Sequence, residues 1–187
     1  LVTQLASKAY NPVLYWTVIL STSTAGTTMS DYMDRTLGLG YAKGSMLLVC
    51  LLMLVLAVWR ITEKTLAVTD VKSLRAESFY WLAILLSNTL GTALGDFLAD
   101  DSGLGFAGGA LLISGAIAAV VLAKFYTQIS PILLFWIAFI LTRPLGATVG
   151  DLLTKPMDKG GLGFGTIGSS IVLLSILVCL VLYTTST

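Results

Sequence analysis

One stretch of the chain decides the fold: Trp81-Leu-Ala-Ile-Leu-Leu-Ser-Asn-Thr-Leu-Gly91-Thr-Ala-Leu-Gly-Asp96. It is largely apolar, yet it places a glycine ten residues and an aspartate fifteen residues after the tryptophan. The same spacing, W-x9-G-x4-D, occurs twice more in the chain. The other two blocks contain Trp16, Gly26 and Asp31, and Trp136, Gly146 and Asp151. A motif that recurs in this way predicts tandem copies of one structural unit.

A Gly-Leu-Gly triplet and a second apolar run follow each block, which predicts a hairpin of two membrane-crossing helices. The triplets are 38–40, 103–105 and 161–163, and three extra residues precede the last one. Two crossings return the chain to its starting side, so successive hairpins share one orientation and form parallel repeats. The predicted organisation is a single membrane domain over 1–187 with repeat units at about 10–60, 75–127 and 130–184.

The composition excludes a soluble protein. Of 187 residues, 56% are hydrophobic and only 11% are charged, and the mean hydropathy is +0.91, whereas soluble domains carry about 25% charged residues. A membrane-crossing helix needs about 20 mostly apolar residues. The sequence therefore predicts an all-α, polytopic bundle of six transmembrane helices in contact with the lipid bilayer, at about 13–30, 41–59, 79–98, 104–126, 132–153 and 162–183.

Several function classes are disfavoured by what the chain lacks. It has no histidine, so the usual general base and most transition-metal sites are missing. Its two cysteines lie apart in apolar runs, and its formal net charge of +1 comes without a basic cluster. We therefore expect neither an enzyme nor a nucleic-acid-binding protein. Whether the chain forms a homo-oligomer or binds a membrane partner protein stays open.

These features together resemble a family of bacterial integral membrane proteins described as uncharacterised membrane-anchored proteins. Its members consist of tandem two-helix repeats of unknown function, typically four in number. The resemblance covers nearly the whole chain and implies a multi-pass protein of the bacterial inner membrane, but it implies no reaction or substrate. Residues 1–9 look like the end of an earlier helix, because 10–16 parallel 129–136 at the junction between two units. We therefore expect a further hairpin to precede the chain.

Three equivalent aspartates are the strongest indication of function. An ionisable group at membrane depth costs about 2.5–3.5 kcal/mol and usually marks an ion or substrate path. Carboxylates accompanied by hydroxyl and amide oxygens suit hard cations such as Mg²⁺, Mn²⁺, Ca²⁺ or Na⁺. The sequence predicts a transporter or channel-like protein for such a cation, with proton coupling as an option and Arg143 as an internal counter-charge. The predicted ion-binding residues are Asp31, Asp96, Asp151, Thr27, Thr92, Thr148 and Asn88.

A structural role is the alternative for the same aspartates. Each could cap a short helical turn and fix the hairpin connection, in which case the chain is a non-transporting scaffold or accessory subunit. The sequence does not decide, because all three repeats keep the carboxylate. We expect the other acidic residues near the connections, namely Asp34, Asp100, Asp101 and Asp158, to be solvated.

The remaining repeated residues have structural interpretations. Small residues let membrane helices approach closely, so we expect helix packing at Gly26, Gly91, Gly146, Gly38, Gly103 and Gly161. Tryptophan favours the membrane–water interface, so we expect Trp16, Trp81 and Trp136 to be interfacial anchors.

Overall fold

The computed structural model describes residues 12–71 and 73–186, and this part of the chain folds into six long α-helices without a β-strand. The helices follow one another as the three predicted hairpins, each consisting of a first and a second helix, but in the first two hairpins these two helices make little direct contact. They are α1 (Pro12–Asp31), α2 (Tyr41–Glu63), α3 (Leu74–Asp96), α4 (Gly105–Tyr126), α5 (Pro131–Thr154) and α6 (Gly165–Ser186).

Length and composition allow several of these helices to cross a membrane. Four described segments meet both conditions, namely Tyr41–Glu63, Leu74–Asp101, Gly105–Tyr126 and Pro131–Thr154, and a shorter apolar segment covers Gly165–Cys179. Many large apolar side chains on α2, α4 and α6 are exposed. Because water would disfavour such a surface and lipid would not, the helical bundle is that of a multi-pass membrane protein.

The second helix of a hairpin packs mainly against the next hairpin. Helix α2 lies against α3, and α4 lies against α5. The first helices also contact one another, because α3 packs against both α1 and α5. Helix α3 is therefore central, and its residues Ala83, Leu86, Leu90 and Ala93 join leucines of α2 in the largest apolar core.

A recurring contact, the glycine joint, connects the first helices. In the first joint, a Cβ on Gly26 would lie 2.7 Å from Asn88 Cβ and 2.9 Å from Thr89 N. In the second, a Cβ on Gly91 would collide with Arg143 Cβ and lie 3.1 Å from the Arg143 carbonyl carbon. The predicted packing role is thus confirmed for both glycines. Gly146, the equivalent in the third repeat, faces open space within the described chain.

The connecting glycines serve a different purpose from the predicted helix packing. Gly38 and Gly103 have φ values of +68° and +77°, and a Cβ on either would touch nothing in the described chain. They permit the left-handed backbone of a tight turn. Gly161 lies against the carbonyl of Lys155 within the third connection. The packing prediction is therefore wrong for these three.

The third connection also corrects the alignment of the repeats. In the first two repeats, both glycines of the Gly-Leu-Gly triplet, 38–40 or 103–105, have positive φ. Helix α2 starts directly after the first triplet, and α4 starts at the second glycine of the other triplet. In the third repeat, Gly163 and Gly165 have this geometry, and α6 starts at Gly165. In the third repeat, the segment that matches 38–40 and 103–105 is therefore 163–165 and not 161–163. The shared feature of the three turns is a pair of glycines with positive φ, and the residue between them is not always leucine.

Two of the three repeated tryptophans belong to the core. Trp81 and Trp136 are each only 2% exposed, whereas Trp16 is 61% exposed. Trp136 Nε1 donates a hydrogen bond to the carbonyl of Leu66 over 3.0 Å, and its ring packs edge-on against Trp59 at 5.6 Å between centroids. The anchor prediction is wrong for Trp81 and Trp136, because neighbouring helices cover these rings and leave no surface for the interface.

Candidate functional site

One polar position recurs seven residues after each repeated tryptophan: Ser23, Asn88 and Arg143. The glycine joints bring these positions together along adjacent first helices, where they line a polar cavity of about 270 Å³. Thr27 and Thr92, one helical turn further on, lie on the same wall, and their hydroxyl oxygens are 3.4 Å apart. The complete lining is Ser23, Thr27, Asn88, Gly91, Thr92, Thr142, Arg143, Gly146 and Ala147.

Asn88 presents unused hydrogen-bonding groups at this cavity. The residue is only 6% exposed, and neither its Nδ2 nor its Oδ1 has a hydrogen-bond partner. A buried polar group without a partner costs about 1–3 kcal/mol. Asn88 also lines the cavity, so its unpaired amide is an unused polar group for a molecule bound there once the side chain turns toward it.

Arg143 places a cationic group at the same cavity. Its Nε is buried without a hydrogen-bond partner, and its guanidinium carbon lies 4.8 Å from the centre of the Phe139 ring. It makes no ion pair with Asp31, Asp96 or Asp151, which the counter-charge prediction required. The cause is geometric, because Asp151 is eight residues further along the same helix, about 12 Å along its axis.

The three repeated aspartates lie together at one end of the first helices, which we call the aspartate end. Each is half-buried, and each follows the cavity-level position 27, 92 or 147 by four residues, about 6 Å along the helix axis. Asp96 lies within electrostatic range of both Asp31 and Asp151. Two cations lie here: Arg35, whose Nε is 3.5 Å from Asp31 Oδ1 and which also lies within range of Asp96, and Lys155, which lies within range of Asp151. A fourth carboxylate, Asp100, lies within range of Asp96 and Asp151. Four carboxylates and two cations give this end a formal charge of −2.

The aspartates at the first two connections are not helix caps. Asp31 and Asp96 stand directly before five-residue π-helical turns, Tyr32–Thr36 and Phe97–Asp101, and neither side chain accepts a capping hydrogen bond. The backbone closes these turns instead, with Leu37 N donating to the Tyr32 carbonyl and Ser102 N donating to the Phe97 carbonyl, both over 2.9 Å. The Asp96 carboxylate is therefore not used to build its turn, and the Asp31 carboxylate contacts its turn only through Arg35.

The predicted ion-binding residues fall into two neighbouring groups. Thr27, Thr92 and Asn88 line the polar cavity, while Asp31, Asp96 and Asp151 form the aspartate end. Thr148 belongs to neither. Its hydroxyl bonds the carbonyls of Pro144 and Leu145 in its own helix, and its methyl group faces Gly109 of α4. Within residues 12–71 and 73–186, no three acidic or cysteine side chains lie close enough to hold a metal ion.

Asp34 is a buried carboxylate that the sequence assigned to solvent. It is 6% exposed, accepts a hydrogen bond from Ser30 Oγ over 3.2 Å and rests against Gly44 of α2. Burial raises the pKa of the Asp34 carboxyl above its ordinary value. Asp34 thus links the two helices of the first hairpin, and in the third hairpin Thr154 does so through a hydrogen bond of 3.2 Å to Ser169. The prediction of solvated loop charges is correct for Asp100, Asp101 and Asp158, which are exposed.

The fold and the site together define a class: a tandem-repeat, all-helical membrane protein with a polar cavity between the first helices of its repeats. The family follows from the repeats themselves. The family model described as Repeat of Unknown Function (DUF347) matches residues 14–65, 79–130 and 134–187, so the chain belongs to that family. Comparison with curated proteins and with solved structures gave no match.

Proposed function

We propose that the protein is a membrane transporter or channel-like protein that passes a small hard cation or a proton along the aspartate end. One observation carries the proposal: three equivalent, half-buried carboxylates share one end of the first helices, and Asp96 interacts electrostatically with the other two. Charged groups at this depth are costly and typically line ion paths. The net negative charge of the aspartate end favours a cation.

The proposed path needs no resident metal. Because no three acidic side chains of the described chain converge on one point, a metal cation there would keep part of its hydration shell, as Mg²⁺ usually does. Na⁺, Mg²⁺, Mn²⁺ and Ca²⁺ fit this description, whereas a proton would be carried on the carboxylates themselves. The proposal includes no enzymatic reaction and places the protein in the bacterial inner membrane, in keeping with the family resemblance.

The scaffold alternative loses part of its support at the π-helical turns. It requires the aspartates to hold the connections by capping, and Asp31 and Asp96 make no capping bond. A scaffold would also give no reason for the polar cavity one helical turn away. Stoichiometric co-purification of a second membrane protein, together with absence of ion flux, would favour that alternative.

Flux into sealed proteoliposomes tests the proposal. The full chain is reconstituted, and uptake of ²²Na⁺, Mn²⁺, Mg²⁺, Ca²⁺ and H⁺ is measured separately with isotopes or trapped dyes. We expect flux of at least one cation, reduced at least about tenfold in Asp96→Asn because the charge that stabilises the passing ion is lost. Asp101→Asn is the matched control, because that carboxylate is exposed in the connection. Absence of flux for all five cations, or equal flux in parent and Asp96→Asn, would overturn the proposal.

A further inference from the structure

The polar cavity has the opposite charge from the aspartate end. Its nine lining residues include the guanidinium of Arg143 and no carboxylate. A cation would be repelled there, whereas the cost of burying an arginine without an ion-pair partner falls when an anion binds beside it. The cavity and the aspartate end therefore suit different ligands.

We propose that this cavity binds a small oxyanion between Arg143 and Asn88. The arginine fork matches two oxygens of a carboxylate or an inorganic oxyanion, and such paired hydrogen bonds are among the strongest in proteins. Asn88 also lines the cavity, and its buried Nδ2 has no protein partner that a bound anion would have to displace. The hydroxyls of Thr27, Thr92 and Thr142 complete a lining that can donate or accept.

The cavity is large enough for a small anion. Its volume of about 270 Å³ is far above the roughly 10–15 Å³ that one water requires, and just below the roughly 300 Å³ at which drug-sized ligand pockets begin. A short-chain carboxylate or an inorganic oxyanion fits this range.

Each of the two joined repeats contributes to the site through the glycine joint. The main chain of Gly91 lies directly against Arg143, so the guanidinium is held at the contact between α3 and α5 while Asn88 comes from one turn earlier on α3. Anion binding at this contact goes beyond the cation proposal. It does not rest on that proposal, because binding is measured without flux.

Equilibrium binding of two labelled probes tests the site. The full chain in nanodiscs of uncharged lipid is dialysed against labelled lactate in one arm and labelled nitrate in the other. We expect saturable binding of at least one probe, and the stronger arm tells an organic carboxylate from an inorganic oxyanion. Arg143→Gln should weaken binding at least about tenfold, because a hydrogen bond to a charged group is lost, and Arg143→Lys should retain part of it. Asn88→Leu should also weaken binding.

Arg60→Gln is the matched control for loss of one arginine, because Arg60 is exposed at the end of α2 and donates to the Lys64 carbonyl. It should leave binding unchanged. Each variant is first checked for cooperative unfolding, and removing a buried charge is not expected to prevent folding. Failure of the parent to bind either probe, or equal binding by Arg143→Gln, would overturn the inference even if cation flux were present. Anion binding without cation flux would overturn the proposed function alone.

Discussion

Replacing Gly91 by alanine tests the glycine joint between the second and third repeats. The added methyl would collide with Arg143 Cβ and press on the Arg143 carbonyl carbon at 3.1 Å. Because one of these atoms belongs to the main chain, a rotamer change cannot relieve the contact, and α3 and α5 must separate. Overpacking of this kind lowers the free energy of unfolding by about 1–3 kcal/mol. Alanine is a better helix former than glycine, which raises it by about 0.5–1 kcal/mol. The expected net loss is about 1 kcal/mol, the difference between the midpoints of these two ranges.

The third repeat supplies the control at the equivalent position. A Cβ on Gly146 meets nothing in the described chain, so Gly146→Ala should keep only the helical gain of about 0.5–1 kcal/mol. The two variants should therefore differ by about 2 kcal/mol in the free energy of unfolding, in opposite directions from the parent.

Unfolding by sodium dodecyl sulfate in mixed micelles, followed by circular dichroism, gives this difference for the purified protein. The Gly91→Ala protein should unfold at a lower detergent fraction than the parent and Gly146→Ala at the same or a higher fraction. If Gly91→Ala is as stable as Gly146→Ala, the close approach of α3 and α5 is wrong. The oxyanion site, which depends on the same approach, would then need a different geometry.

Two further predictions concern buried polar groups. Trp136→Phe should lose about 1–3 kcal/mol of stability in the same unfolding assay, because it leaves the Leu66 carbonyl unpaired. The control, Trp16→Phe, should change stability little. Equal losses in the two variants would contradict the assignment of Trp136 to the core. The folded protein holds the Asp34 proton more tightly than the unfolded chain, so stability should fall as pH rises above 3.8 through the raised pKa of that carboxyl. Asp34→Asn should make this fall in stability smaller, and Asp158→Asn should leave it unchanged. The same pH profile for parent and Asp34→Asn would show that the carboxyl is solvated.

The repeat pattern made the architecture predictable. Spacing alone gave three hairpins of parallel orientation, because a helix pair of fixed length leaves few arrangements in a bilayer. The packing of Gly26 and Gly91 also followed from it, since membrane helices use small residues for close approach.

The roles of individual side chains were less predictable. Tryptophan has both an apolar ring and an N–H donor, so the sequence cannot distinguish an interfacial ring from one buried between helices. The buried position of Trp136 depends on a hydrogen bond to the carbonyl of Leu66, 70 positions away in the chain. The burial of Asp34 depends likewise on its contact with Gly44, and the sequence does not specify the shape of the turn between these two residues.

The polar cavity has a signal in the sequence that lies outside the W-x9-G-x4-D motif. Aligning the repeats on tryptophan puts Ser23, Asn88 and Arg143 in one column. The charge of Arg143 taken by itself indicates only an acidic partner or water. Comparing the column across repeats would have predicted that these residues meet, because equivalent faces of neighbouring units lie on one wall of a stacked array.

The glycine joint has a direction, since α1 and α3 each offer a glycine to the following first helix, from which Asn88 or Arg143 is the projecting residue. A hairpin duplicated within the gene would bring both halves of the connection with it, so the array can grow by unequal recombination without inventing a new contact surface. The projecting residue is free to differ from copy to copy, as serine, asparagine and arginine already do. Duplication followed by divergence at that single column would then give each new member its own chemical selectivity on an unchanged frame.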